Sequence, residues 1–174
     1  MKIRWSILAG LALTKALVLL TPAAPHGIMA IKPSVIRSFW SGLMRWGFWK
    51  KPMRQTFNEA VYSTLQLMTT EEQEKLFGKF VYESARAACE IGFSFFDTKK
   101  AARVDESKVT CPVLVIGAVQ DRIAPASVVR NVADKYKAVS TYKELADHAH
   151  WVIGEPGWQE IAGYVSNWIN EQVK

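Results

Sequence analysis

A chain of 174 residues fits one domain, or one domain with a substantial insertion, and 49% apolar with 22% charged residues is the balance of a globular protein that buries a core. The net charge of +6 favours anionic surfaces without bearing on fold, and no block of like charges is long enough for a nucleic-acid-binding tail. Cys89 and Cys111 are too few for a disulfide framework; both read as small buried apolar residues in a reducing compartment.

The N-terminus admits two readings. Met1-Lys2-Ile3-Arg4 followed by an apolar run to Thr14 has the basic start of a signal peptide, with a small-residue cleavage site at Thr21-Pro22-Ala23. Lys15 interrupts that run, however, and residues 16–20 (Ala-Leu-Val-Leu-Leu) are short and end in turn residues. That favours a helix tail over 6–13 followed by a buried strand over 15–20. No uninterrupted run reaches the ~18 apolar residues of a membrane-spanning helix.

The next ninety or so residues change character. Residues 34–49, 53–68 and 71–93 carry helical patterns, separated by Pro52 and by Thr69-Thr70. Thr70 with Gln73 predicts a capping-box start for the third helix, whose buried stripe is Phe77, Val81, Ala85, Ala88 and Cys89. Residues 37–51 mix Trp40, Trp46 and Trp49 with Arg37, Arg45, Lys50 and Lys51. A lid with an apolar underside explains this segment most simply. A membrane-surface helix is the lesser reading, and the glycines at 42 and 47 weigh against a base-stacking platform. Ser84 lies inside a helical pattern without flanking glycines, so it cannot form the strained strand-to-helix turn that exposes a nucleophile. Its neighbours Glu83 and Arg86 read as cap-to-body contacts and pocket rim.

The last third alternates strand and helix, as parallel sheets do. Residues 112–118 and, less regularly, 139–145 read as buried strands. After Pro125, the positions Val128, Val129, Val132, Ala133 and Tyr136 recur at helical spacing; after Gly157, so do Trp158, Ile161, Ala162, Val165, Trp168 and Ile169. Asp121 follows the first of these strands, and Asp147-His148-Ala149-His150-Trp151 follows the second. An acid that orients a histidine, and a histidine that moves a proton, are two of the three parts of a nucleophilic active site. The bland alternatives are an Asp that starts a helix and a histidine bonded to a backbone carbonyl. Three histidines without ligand-spaced partners assemble no metal site, no phosphate-cradling loop is visible, and no cofactor is expected.

The stretches Leu19-Leu20-Thr21-Pro22-Ala23-Ala24-Pro25, Glu83-Ser84-Ala85-Arg86, 111–125 and 148–158, in this order and spacing, resemble the C-terminal portion of an α/β-hydrolase of the esterase and lipase type, from about Leu11 onward. The resemblance implies an α/β fold with a partial sheet of about three parallel strands and a helical cap inserted after the first. Residues 1–25 would hold a helix remnant and the first strand, 26–105 the cap, and 106–174 the acid and histidine loops. Asp121 would be the triad acid. His150 would be the general base, because a small residue precedes it and Glu155 follows at the family's interval; His148 stays as the alternative. His26, Trp40, Trp46 and Trp151 fall to the pocket and lid.

The family's third element, a serine in Gly-x-Ser-x-Gly, occurs nowhere in these residues. The resemblance therefore implies a truncated enzyme or one half of a split one, inactive or very weak by itself. The expected substrate is a small apolar ester. The strand from Ala16 to Leu20 would be an exposed edge for self-association or for a companion chain. The competing function is a non-catalytic remnant that binds an apolar ligand or a partner. A cytoplasmic location is expected, or a secreted or periplasmic one if residues 1–23 act as a signal peptide.

Overall fold

The structure, a computed structural model, describes residues 14–173. The helix tail expected over 6–13 and most of the signal-peptide segment lie outside the described residues. Among the described residues five strands follow one another: β1 (Leu17–Leu20), β2 (Pro52–Met53), β3 (Glu83–Ser84), β4 (Val113–Ala118) and β5 (Ser140–Leu145). Seven α-helices accompany them among the described residues: α1 (Pro33–Ser38), α2 (Trp40–Leu43), α3 (Phe57–Ser63), α4 (Thr70–Phe77), α5 (Ala85–Gly92), α6 (Ala126–Lys135) and α7 (Trp158–Gln172).

The main sheet is parallel, in the order β1-β4-β5. β4 is central, and all six of its residues, Val-Leu-Val-Ile-Gly-Ala, are buried. An unbroken apolar run is what a strand with both faces covered requires. Strand alternation divides the core in two. Leu17, Leu19, Val113 and Val115 meet Val128, Val129, Val132, Ala133 and Tyr136 on α6. Leu114, Ile116 and Ala118 meet Val152 and, on α7, Ile161 and Trp168. Gly117 lets α6 approach closely, since a Cβ there would lie 2.8 Å from the Tyr142 hydroxyl and 3.3 Å from Val129. β5 is the polar edge, where the Tyr142 hydroxyl donates to Glu144 (2.6 Å) and Arg130 pairs with the same carboxylate (2.7 Å).

The helical stretch between β1 and β4 is more broken than its sequence pattern suggests. The first expected helix, 34–49, is two short helices that stop at Leu43, followed by a 3-10 turn at Phe48–Lys50. Gly47, at the start of that turn, sits at φ +70, a left-handed conformation that glycine adopts at no steric cost. The second, 53–68, is helical only over Phe57–Ser63. The third, 71–93, breaks after Phe77, and Glu83–Ser84 pairs antiparallel with Pro52–Met53 before α5 begins. Ser84 is thus the N-cap of α5, its Oγ accepting the Ala87 N–H, rather than a residue inside a helix. Of the expected buried stripe only Ala85 is buried, and Val81 is 67% exposed. Cys89 is half-buried rather than buried, and burial raises its thiol pKa, with Glu90 adding to the effect.

Capping boxes start two of these helices: Thr56 with Glu59, and Thr69 with Glu72. The second begins one residue earlier than Thr70 with Gln73 would. A carboxylate at the third helical position accepts the cap N–H more strongly than an amide does. Glu59 also accepts from the Ser41 N–H and hydroxyl, both at 2.6 Å. Burial opposes its ionisation, yet these hydrogen bonds outweigh burial and hold the carboxyl below its ordinary range.

The cap rests on the body through the loop after β4. Gln66 donates to the Gln120 carbonyl (2.9 Å), Arg122 donates to the Tyr62 carbonyl (2.7 Å), and the Arg37 and Arg122 guanidiniums both lie over the Tyr62 ring. Among the described residues, no helix is long and apolar enough to cross a membrane.

Candidate active site

The carboxyl ends of β1, β4 and β5 deliver three loops to one edge of the sheet, the edge where open α/β sheets bind ligands. After β4 the chain turns tightly, with the Asp121 N–H donating to the Ala118 carbonyl at 3.2 Å. Asp121 is buried, and its two oxygens do different work. Oδ1 accepts the N–H groups of Ile123 (2.8 Å) and Ala124 (2.7 Å), which shapes the entry to α6. Oδ2 lies 2.8 Å from His150 Nδ1. The helix-start role and the histidine-orienting role therefore coexist on one carboxylate.

A carboxylate has no proton to give, so Nδ1–H of His150 is the donor, and in the neutral imidazole the lone pair is then on Nε2. The imidazole is thereby held in the tautomer that a general base needs. The backbone around it is held as firmly. Glu155, fully buried, accepts the Ala149 N–H through Oε2 (2.8 Å) and the Trp151 N–H through Oε1 (2.7 Å), so one carboxylate grips the chain on both sides of His150. From the opposite side, the Thr21 hydroxyl donates to the His150 carbonyl at 3.1 Å. Thr21 follows β1 directly and sits at φ +40, a left-handed conformation that a β-branched residue rarely adopts. Strain of that kind persists only where surrounding contacts over-determine it. The sequence marked Glu155 by its interval from His150 and Thr21 by its place in a family-like stretch, but not the hydrogen bonds by which they hold the site.

The other candidate residues sit apart from this pair. His148 contributes its carbonyl to the Gln120 N–H (3.1 Å), while its Nε2 is buried beside Gly157 without a hydrogen-bond partner among the described residues. His26 shares a hydrogen bond through Nδ1 with the Ser94 carbonyl (3.0 Å) and its ring lies against Phe95. Trp151 packs over Gly154. Trp40 and Trp46 are exposed on the cap.

Beneath the cap, His150 opens onto a cavity of about 270 Å³. The cap contributes Phe39, Leu43, Phe48, Met53 and Ile91 to its wall, and the body contributes Thr21, Ile123 and Val128. Among the described residues, its wall carries no Lys, Arg, Asp or Glu. His26, Trp40, Trp46 and Trp151 are not among its lining residues. Burying a charged group there without a partner is costly, so the cavity suits uncharged, apolar groups.

An acid and a histidine on the loops after successive parallel strands, beneath a helical insertion that follows the strand before them, define the carboxyl-edge portion of an α/β-hydrolase fold. Solved structures bear out that class. The chain is similar to a monoacylglycerol lipase from Paleococcus ferrophilus, with a TM-score of 0.62 and 16% identity over 98% of this chain and 65% of the lipase. It is similar also to a hydrolase from Oleispira antarctica (TM-score 0.61, 15% identity, 95% of this chain and 62% of that one). A thermophilic esterase aligns with a TM-score of 0.57 at 14% identity, over 95% of this chain and 60% of the esterase. At these identities the likeness is one of fold, and the chain spans less than two thirds of the length of each. No protein-family model matches the sequence, and no curated protein does.

Proposed function

We propose that this chain supplies the acid–base pair and the lid of a serine esterase or lipase acting on apolar acyl esters, with the nucleophilic serine coming from polypeptide outside these 174 residues. The observation that carries the reading is the 2.8 Å Asp121–His150 contact, with His150 facing an apolar cavity. In the reaction, His150 Nε2 takes the proton of the serine hydroxyl as its oxygen bonds to the acyl carbon. Asp121 stabilises the imidazolium, which then gives the proton to the departing alkoxide. Water repeats the sequence to release the acid and free the serine. Residues 26–105 serve as the lid. A cavity of 270 Å³ equals the liquid share of about nine water molecules, which suits an acyl chain of about that many heavy atoms.

β1 is the end strand of the described sheet, and a strand bearing the serine elbow would dock beside it. An apolar strand in that position is a template for pairing. Concentration-dependent self-association in light scattering is therefore expected, and a sharp monomer at micromolar protein would count heavily against this part of the reading. The same cavity supports a second reading, apolar-ligand binding without catalysis. Fatty-acid binding unchanged in both His150→Ala and Asp121→Asn is compatible with either, so turnover decides between them.

The test is a fluorophosphonate probe with adducts mapped by mass spectrometry. The purified chain should take no label, and labelling with ester hydrolysis should appear when a polypeptide carrying the serine-elbow half is supplied, and be lost in His150→Ala. An adduct on one of this chain's own serines that disappears in His150→Ala would overturn the claim that the nucleophile lies elsewhere. Labelling of the complemented enzyme that is indifferent to His150→Ala would remove His150 from the mechanism.

A further inference from the structure

The charge of this chain is not spread evenly. Residues 1–58 hold nine Lys and Arg and not one Asp or Glu; the remainder holds 13 against 16. The cationic stretch includes the first half of the cap, and there it coincides with exposed aromatic surface. Around the left-handed Gly47, Arg45 donates to the Pro52 carbonyl (3.5 Å) and Lys51 to the Trp46 carbonyl (3.0 Å), so the turn from 45 to 51 closes on itself. It presents Trp46, 90% exposed, against Trp49, their rings meeting edge to face at 6.3 Å. Met44 is 65% exposed beside them. The β2–β3 pairing brings Tyr82, 67% exposed, to the same side, where Trp49, Lys50, Lys51, Pro52, Tyr82 and Arg86 share one open depression. Among the described residues Glu83 is the one carboxylate lining it, and Arg86 is engaged by Glu90 at 2.9 Å.

Large exposed apolar groups on a soluble surface mark an interaction site. Trp and Tyr interleaved with Lys50 and Lys51, with Glu83 the one carboxylate against them in the depression among the described residues, match one kind of partner closely: the headgroup region of an anionic bilayer. Amphipathic rings settle at that depth, while cations meet lipid phosphates. We propose that the turn from 45 to 51, with Tyr82, is a peripheral membrane anchor that seats the cap on an anionic lipid surface. The inner side of the same turn supports the idea. Phe48 meets Trp49 edge to face (5.5 Å) and lines the cavity below, as does Met53 of β2. An apolar molecule leaving the bilayer at Trp46 and Trp49 would find the cavity wall one side chain away. Binding at the outer face does not depend on catalysis, so its test and the test of the Asp121–His150 mechanism can fail separately.

Sedimentation with vesicles of phosphatidylcholine alone, or mixed with phosphatidylserine at three to one, reads the proposal directly in the full chain. Wild type should bind the anionic vesicles at least about tenfold more strongly than the neutral ones, and salt should weaken binding. At about fivefold per cation, Lys50→Glu with Lys51→Glu should lower the partition about 25-fold or more. Trp46→Ser with Trp49→Ser should lower it while leaving the net charge untouched. Lys137→Glu with Lys143→Glu removes the same charge elsewhere on the exposed surface and should retain most of the binding. Circular dichroism confirms that each variant is folded.

Equal losses in the Lys50/Lys51 and Lys137/Lys143 variants would reduce the effect to general charge attraction and overturn the anchor. Failure of wild type to bind anionic vesicles would overturn it outright. Vesicle-independent self-association abolished by Trp46→Ser with Trp49→Ser would reassign the patch to protein contact. Oligo(dT) binding lost in that variant, with no vesicle binding, would reassign it to nucleic acid.

Discussion

Glu155 offers the sharpest test of how the histidine loop is held. Its carboxylate is fully buried and accepts two backbone N–H groups, from Ala149 and Trp151, at 2.8 and 2.7 Å. Hydrogen bonds to a charged acceptor contribute about 1.5–3 kcal/mol each, and a buried N–H left without a partner costs a similar amount. Glu155→Ala removes both acceptors and leaves a void, so it should destabilise the chain by about 3–5 kcal/mol. Glu155→Gln keeps one carbonyl acceptor but turns an NH₂ toward the other N–H, so about half that loss is expected, about 1.5–3 kcal/mol. Urea unfolding followed by tryptophan fluorescence measures both, with an unchanged slope marking a true stability change. The order wild type, then Gln, then Ala is the signature of a bracket made by charge. A Glu155→Gln variant as stable as wild type would refute it, because relief from burying a charge would then outweigh the lost hydrogen bond.

Three further outcomes follow from the same geometry. Glu59 has a folded pKa below its unfolded value of 4.5, so its stabilisation is present above that pH and is lost as pH falls through the lowered value. Glu59→Gln should accordingly cost about 1.5–3 kcal/mol at neutral pH, with the gap to wild type narrowing in acid urea titrations; a gap independent of pH would contradict the assignment. Gly117→Ala places a Cβ 2.8 Å from the Tyr142 hydroxyl and should cost about 1–3 kcal/mol, part of it recovered by Tyr142→Phe in the double variant. Ala88→Phe narrows the cavity from α5, so calorimetry should show about tenfold weaker binding of a ten-carbon fatty acid and little change for a four-carbon one; equal losses for both would indicate damage rather than shortening.

How much was legible depended on burial. β4 announced itself because every one of its residues is apolar and buried, and α6 because its Val128, Val129, Val132 and Ala133 all face the sheet. The cap misled because its helices are short and mostly exposed. No continuous stripe is needed to bury them, so a helical pattern running through 78–84 meant little, and pairing of β2 with β3 overrode it. Thr69, not Thr70, starts α4 because Glu72 is the better acceptor.

By itself, then, the sequence determined the layered parallel core, the loops that carry the acid and the histidine, and the lack of a Gly-x-Ser-x-Gly elbow within these residues. Those follow from local composition: a buried strand must be apolar, and what comes after it must be a loop. The resemblance already favoured His150 over His148, on Ala149 and Glu155; tertiary structure alone decided how that histidine is brought to Asp121. Glu155 from one side and Thr21 from the other clamp the backbone so that His150 turns toward the acid. Contacts of that kind join residues as far apart as 129 positions, and no local pattern encodes them.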